Sequence, residues 1–305
     1  MSAFDPFSLK PDISASSKKL YIHNLTKLNG GKPINNLNFL SKKDIPDRLN
    51  ALTPNTRRTY LIAIVSCLTN RPEKKYKTLY AKFYEPLMAL NKELKDNTQK
   101  TDKVKENWVE QSAVQEKRTD LASVIDEVKG LKKVTEDQYD RLLNAVILSL
   151  YTLQPPRRNK DYTDMFIVKV SPDEDRSRNY LEISGKSWKW IFNNYKTQKK
   201  YKQQIVEVPD DLKSVLEVYL KFHPLKKKAS DPVPFLVHYD GKAINTSTEM
   251  TRILNKIFGK KVGVSMLRAS YLTDKYGDKM KDLKDDTNAM GTSVDVAQSN
   301  YIKAV

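Results

Sequence analysis

Cysteine is nearly absent from this sequence: Cys67 is the only one, so no disulfide can form within the chain. It stands in the apolar run "LIAIVSCL", which reads as a small buried hydrophobe in a reducing, intracellular compartment. Histidine is almost as scarce. His23, His223 and His238 are isolated from one another, and no Cys/His or Asp/Glu spacing suits a metal, so no metal or other cofactor is expected. The nine glycines form no phosphate-cradling loop, which argues against a nucleoside triphosphatase. No apolar run approaches the roughly 20 residues of a membrane span, and no membrane partner is expected. The opening "MSAFDPFSLKPDISASS" lacks the basic-then-apolar pattern of a secretion signal.

What is present in excess is positive charge. Lysine and arginine number 54 against 37 aspartates and glutamates, a formal charge of +17. Residues 1–130 hold 23 basic and 15 acidic side chains, a net of +8, which leaves +9 for residues 131–305. With 39% hydrophobic and 30% charged residues over 305 positions, the chain is globular and long enough for two domains. A basic surface on both halves suits a protein that holds a polyanion between them. Nucleic acid fits better than an acidic membrane, because no strongly basic amphipathic helix stands out.

The first half reads as helices. "SSKKLYIHNLTKLN" places Leu20, Tyr21, Leu25 and Leu28 at helical spacing after a serine cap. "LSKKDIPDRLNAL" is a second, short helix. "TPNTRRTYLIAIVSCLTN" is a third, with Thr53 or Asn55 available as its cap. "EKKYKTLYAKFYEPLMALNKELKD", which Pro86 should kink, and "DKVKENWVEQSAVQEKRTDLASVIDEVKGLKK" form a longer pair. A boundary at Gly130 to Lys133 then divides the chain into domains of 1–130 and 131–305. In the second half Thr135 and Gln138 form a capping box before an apolar helix. "DMFIVKV" and "NYLEIS" read as strands, and "SWKWIFNNYKTQKKYKQQIVEVP" as a hairpin in which Trp188, Trp190 and Phe192 alternate. Helices return in "DDLKSVLEVYLKF", "STEMTRILNKIFG", "VSMLRASYLTDKYG" and the terminal segment. The fold class is therefore mainly α, with one small antiparallel sheet.

Opening a phosphodiester without a metal requires cations against the non-bridging oxygens, an acid for the leaving oxygen, and a nucleophile. Arginine suits the first role, lysine the second and tyrosine the third. Arg157 and Arg158 follow "LQPP" at a helix end, with Asp161 close behind; alone, such a pair is an exposed basic turn. Lys196 falls on the hairpin tip in "NNYKTQKKYK", where a solvated edge or a phosphate contact is the plainer reading. Arg268 sits among apolar neighbours in "VSMLRASYL", which implies either an ion pair or an anion site. Tyr301, by itself, is an aromatic on a fraying end.

Their order along the chain resembles the tyrosine recombinase (phage-integrase) family. Arg158-Asn-Lys-Asp161 matches the family's Arg-x-x-Glu/Asp, and Lys196-Thr197 its hairpin lysine. Ser265-Met266-Leu267-Arg268 matches His-x-Leu-Arg, and Met290-Gly291-Thr292 its Leu-Gly-His turn, with Tyr301 at the family's spacing beyond it. Both customary histidines are replaced, by Ser265 and Thr292. A hydroxyl there can donate a hydrogen bond to phosphate but cannot serve as a base near neutral pH. The resemblance covers nearly the whole chain and is best from Leu142 to Lys303.

The resemblance implies a helical, SAM-like core-binding domain followed by a mostly α catalytic domain, closing as a clamp over double-stranded DNA. It implies a site-specific recombinase or integrase of a virus or mobile element that cleaves and rejoins DNA through a 3′-phosphotyrosine, without metal or ATP. Tyr301 would be the nucleophile, Arg158 and Arg268 the charge neutralisers, and Lys196 the acid, with Ser265 and Thr292 donating hydrogen bonds. Arg57, Arg58, Lys199, Lys200 and Lys202 are the expected DNA-backbone contacts. The protein is expected to assemble as a dimer or tetramer on DNA, in a compartment that contains DNA. Two alternatives stay open: a type IB topoisomerase-like relaxing enzyme, and a DNA-binding relative that has lost the chemistry.

Overall fold

The computed structural model describes residues 4–97, 99–170, 175–225 and 232–302. The chain divides into two compact units, Met1–Lys100 and Thr101–Val305.

The first unit is built on four helices: α1 (Ala15–Leu28), α2 (Ile45–Asn50), α3 (Pro54–Leu68) and α4 (Lys74–Asp96). The serine cap of α1 is Ser14, whose hydroxyl accepts from the Ser17 amide. Helix α3 starts with proline in its first turn and buries Leu61, Ala63, Ile64, Cys67 and Leu68. Leu79, Phe83, Leu87 and Leu90 form the stripe that α4 lays on this core. Helix α4 continues through Pro86 as a single element; a proline removes one backbone bond, and the buried stripe spans the gap. Cys67 is 2% exposed, as its apolar setting suggested, and burial pushes its thiol up to about 12.

The second unit begins earlier than the sequence boundary at residue 130. Its first helices are α5 (Asp102–Asn107) and α6 (Gln111–Val128). Val124 and Val128 of α6 pack against Leu142 and Ala145 of α7 (Glu136–Thr152). The α5–α6 junction is tied down further along: Lys260 donates to the Trp108 carbonyl, and the Lys261 amide to Asn107 Oδ1. The Thr135–Gln138 capping box opens α7, which is buried on every side from Ala145 to Tyr151.

After α8 (Asn159–Thr163) come strands β1 (Met165–Val168), β2 (Asn179–Ser184) and β3 (Ser187–Phe192). A short helix α9 (Gln198–Tyr201) separates β3 from β4 (Gln204–Glu207). Helix α10 (Asp210–Phe222) precedes β5 (Val233–Pro234), which the sequence reading lacked. The sheet order is β4-β3-β2-β1-β5. It is mixed, which corrects the expected antiparallel sheet: β1 and β2 run parallel, and the other pairs antiparallel. Asn179, fully buried at the start of β2, accounts for this. Its amide nitrogen donates to the carbonyls of Asp161 and Asn194, and its oxygen accepts from the amides of Asn193 and Asn194. That clip anchors the start of β2 beside the start of β1, so the two strands leave in the same direction.

Trp188, Trp190 and Phe192 alternate into the core from β3 as their spacing predicts. Strand β4 is an edge, with Ile205 and Val206 59% and 44% exposed. Helices α11 (Ser247–Phe258) and α12 (Val264–Ala289) follow. Helix α12 continues through Gly277, well past the "VSMLRASYLTDKYG" segment in which a helix is predicted. Gly291, at φ +68°, ends it in a left-handed turn, with the Thr292 amide bonded to the Thr287 carbonyl. A short turn, α13 (Val294–Val296), and one π-helical turn, Ala297–Tyr301, complete the described chain.

Candidate active site

The site forms where α7 stops. Pro155 and Pro156 cannot continue the helix, so Arg157 and Arg158 are extended, and Arg158 occupies the N-cap position of α8. One turn into α8, Asp161 is buried. Its Oδ2 accepts from Arg157 Nε at 2.9 Å, while its Oδ1 has no hydrogen-bond partner among the described residues. Burial raises the Asp161 carboxyl above the usual aspartate range, against the pull of Arg157 and then Arg158. Arg157 also donates to Gln204 Oε1 at 2.8 Å, and its guanidinium lies 3.6 Å from the centroid of the Phe192 ring. Arg157 therefore stitches α8 to β3 and β4.

Arg158 and Arg268 are in a different state. Both are half-buried, and among the described residues neither side chain makes an ion pair or hydrogen bond. Arg268 reaches the site from the second turn of α12, held by the buried Leu267 and by Ser270, whose hydroxyl donates to Gln111 of α6. Loss of solvent lowers the pKa of Arg268, and repulsion from Arg158 lowers it further, against the attraction of Asp161. Two charged guanidinium groups from distant parts of the chain thus share one cleft of about 440 Å³, which Gln154, Pro155, Pro156, Thr197 and Tyr201 also line. A half-buried cation without a carboxylate is costly, and an anion in the cleft would offset that cost.

The expected hairpin is present, and its connection, residues 193–203, forms one wall of the cleft. Lys196 is exposed between Tyr195 and Thr197, both of which line the cleft, so its place is the rim. The Tyr195 hydroxyl donates to the Lys202 carbonyl at 2.6 Å. Lys202 has φ +57° and ψ −158°, a region that is nearly glycine-only, so this turn is strained and held. Lys199, Lys200 and Lys202 are all exposed on the same connection. Ser265 is exposed in the first turn of α12, on the turn preceding Arg268.

Thr292 and Tyr301 are not among the residues that line the cleft. Helix α12 rises about 30 Å between Arg268 and its end, and both residues follow that end. The Tyr301 side chain is 64% exposed. Arg57 and Arg58 lie on α3 of the first unit. Arg57 donates to Asn50 Oδ1 at 3.2 Å and borders a separate pocket of about 370 Å³, and Arg58 donates to Asn91.

Sequence reasoning missed two contributors, the structural Arg157–Gln204 link and Tyr201 on the cleft wall. Only the tyrosine left a trace, as an aromatic inside the basic run "KTQKKYK". Among the described residues no cluster of three or more His, Cys, Asp or Glu could hold a metal, and no helix is long and apolar enough to cross a membrane. No family model, no curated protein and no solved structure matches the chain.

Proposed function

We propose that this chain is a DNA strand-transferase of the tyrosine-recombinase kind, a recombinase or integrase that cuts and rejoins duplex DNA through a 3′-phosphotyrosine. The observation that carries the reading is the convergence of Arg158 and Arg268, both without ion-pair partners among the described residues, on one cleft with a lysine-bearing hairpin at its rim. In this scheme the two guanidinium groups grip the non-bridging oxygens of the scissile phosphate and neutralise the charge that grows in the transition state. The Tyr301 oxygen bonds to phosphorus, the bond from phosphorus to the 5′-oxygen breaks, and Lys196 passes a proton to that leaving oxygen. The phenol proton goes to solvent. Ser265 and Thr292 donate hydrogen bonds to the phosphate. The phosphotyrosine retains the bond energy, so religation by a 5′-hydroxyl needs no nucleotide. Arg57 and Arg58 of the first unit, and Lys199, Lys200 and Lys202 of the second, contact the DNA backbone.

Tyr301 is not among the residues lining the cleft, so the scheme includes its delivery: either the segment beyond Gly291 moves, or a second copy of the chain supplies the tyrosine. The same observation favours a second reading, a DNA-binding protein that keeps the arginine cleft without the chemistry. Nicked suicide substrates separate the two. A covalent protein–DNA adduct that maps to Tyr301 and vanishes in Tyr301→Phe supports the transferase. DNA binding without any adduct leaves the second reading, and an undiminished adduct in Tyr301→Phe overturns the assignment of the nucleophile. Relaxation of supercoiled DNA with no paired-site product would instead indicate topoisomerase-like activity.

A further inference from the structure

We infer that Tyr201 is a stacking platform for an unpaired nucleobase beside the phosphate held by Arg158 and Arg268. The inference rests on reading the cleft as a nucleic-acid site and adds to it the element that meets a base. Tyr201 lines the same cleft as the two arginines, yet its side chain is 53% exposed, a large aromatic surface left in water. It is also held in place. The Tyr195 hydroxyl fixes the carbonyl of the next residue, Lys202, whose left-handed backbone closes the turn, and the Lys202 amide bonds back to the Gln198 carbonyl. Lys200 lies with its ammonium 5.1 Å from the centroid of the ring.

The cleft accordingly offers two kinds of surface. Part of its lining is cationic, through Arg158 and Arg268, and part is apolar, through Tyr201, Val206 and the proline pair. A nucleotide has that polarity: a phosphate at one end and a flat π-surface at the other. Base faces within an intact duplex are already stacked, so the ring can meet only a base that is unpaired, as at a nick, an end or a melted step. Aromatic–base stacking is indifferent to sequence, because each base has a π-face. Tyr201 therefore governs the preference for unpaired over duplex DNA, and not the choice of sequence.

Fluorescence anisotropy with labelled oligothymidine, and with an abasic phosphodiester chain of the same length, tests this at one fixed salt concentration. Tyr201→Phe should bind oligothymidine within about twofold of the native chain. Tyr201→Ala should lose about tenfold or more on oligothymidine and almost nothing on the abasic chain, since stacking needs the base. Arg268→Ala should weaken both probes alike. If Tyr201→Ala weakens both probes equally or neither, while Arg268→Ala still weakens both, the stacking role is wrong and the nucleic-acid reading of the cleft stands. If the native chain binds neither probe, both are wrong.

Discussion

Arg268→Met should make the second unit more stable while removing its affinity for phosphate. In the free protein Arg268 is partly stripped of water and sits near Arg158 without a carboxylate of its own. Two like charges that share a cleft repel by at most about 4 kcal/mol at an effective dielectric near 20. Both side chains are still partly open to solvent, so screening should reduce this to about 1 kcal/mol. For a unit of this size that corresponds to a rise in Tm of about 2–4 °C. All three tryptophans, Trp108, Trp188 and Trp190, belong to the second unit, so the thermal transition of their fluorescence reports that unit. In low-salt, phosphate-free buffer the variant should melt above the native chain, and added sodium chloride should narrow the gap. Inorganic phosphate at ten times its dissociation constant should stabilise the native unit by about 1.4 kcal/mol and leave the variant unmoved. A variant that melts below the native chain, or that still gains from phosphate, would show that Arg268 is satisfied within the protein. The account of the cleft would then fail.

Other consequences are simpler to read out. Lys202→Gly removes the side chain from a backbone conformation that suits glycine, and should raise stability by about 1 kcal/mol in urea unfolding monitored by tryptophan fluorescence. Asp161 has its carboxyl pKa raised by burial, so the native state holds that proton more tightly than the unfolded chain. Its contribution to stability is therefore greatest at or below the unfolded aspartate pKa and is lost as pH rises through the higher folded value. Asp161→Asn should thus gain on the native chain in Tm from pH 4 upward; a constant difference would refute the sign. Cys67, its thiol pushed from 9.0 to about 12, should react with iodoacetamide at pH 8 about a thousandfold more slowly in the native protein than in urea. Mixing Tyr301→Phe with Arg268→Ala should restore a DNA adduct if a second copy supplies the tyrosine, and should not if delivery is within one chain.

The local grammar of the chain was readable and its long-range consequences were not. Thr135 and Gln138 announce the start of α7, and the alternation of Trp188, Trp190 and Phe192 announces a half-buried strand, because both signals lie within a few residues. The parallel pairing of β1 and β2 depends on what the Asn179 amide meets, and an asparagine's partners leave no periodic mark. The split into compact units at Lys100 has no clearer mark in the sequence, for a similar reason. The polar stretch around residue 98 and the Gly130 turn look equally like linkers until Val124 and Val128 find α7. For the site, order along the chain singled out Arg158 and Arg268, and the fold brings them into one cleft. The same order pointed to Thr292 and Tyr301. The unbroken length of α12, which continues through Gly277 where the sequence suggested a stop, lies between Arg268 and those two residues, and neither lines the cleft.

Strand β4 has one more consequence. It leaves a row of backbone donors and acceptors free along the sheet edge, beside the exposed side chains of Ile205 and Val206. Such an edge invites a strand from another molecule to add to it, the first step toward insoluble assembly. Lys199, Lys200 and Lys202, immediately before it, act as gatekeepers, since a second copy approaching edge to edge would bring the same three positive charges with it. Acetylation of these lysines, or their replacement by glutamine, would therefore reduce solubility, and under the function proposed above the same three charges would serve both the hold on a polyanion and the resistance to self-aggregation.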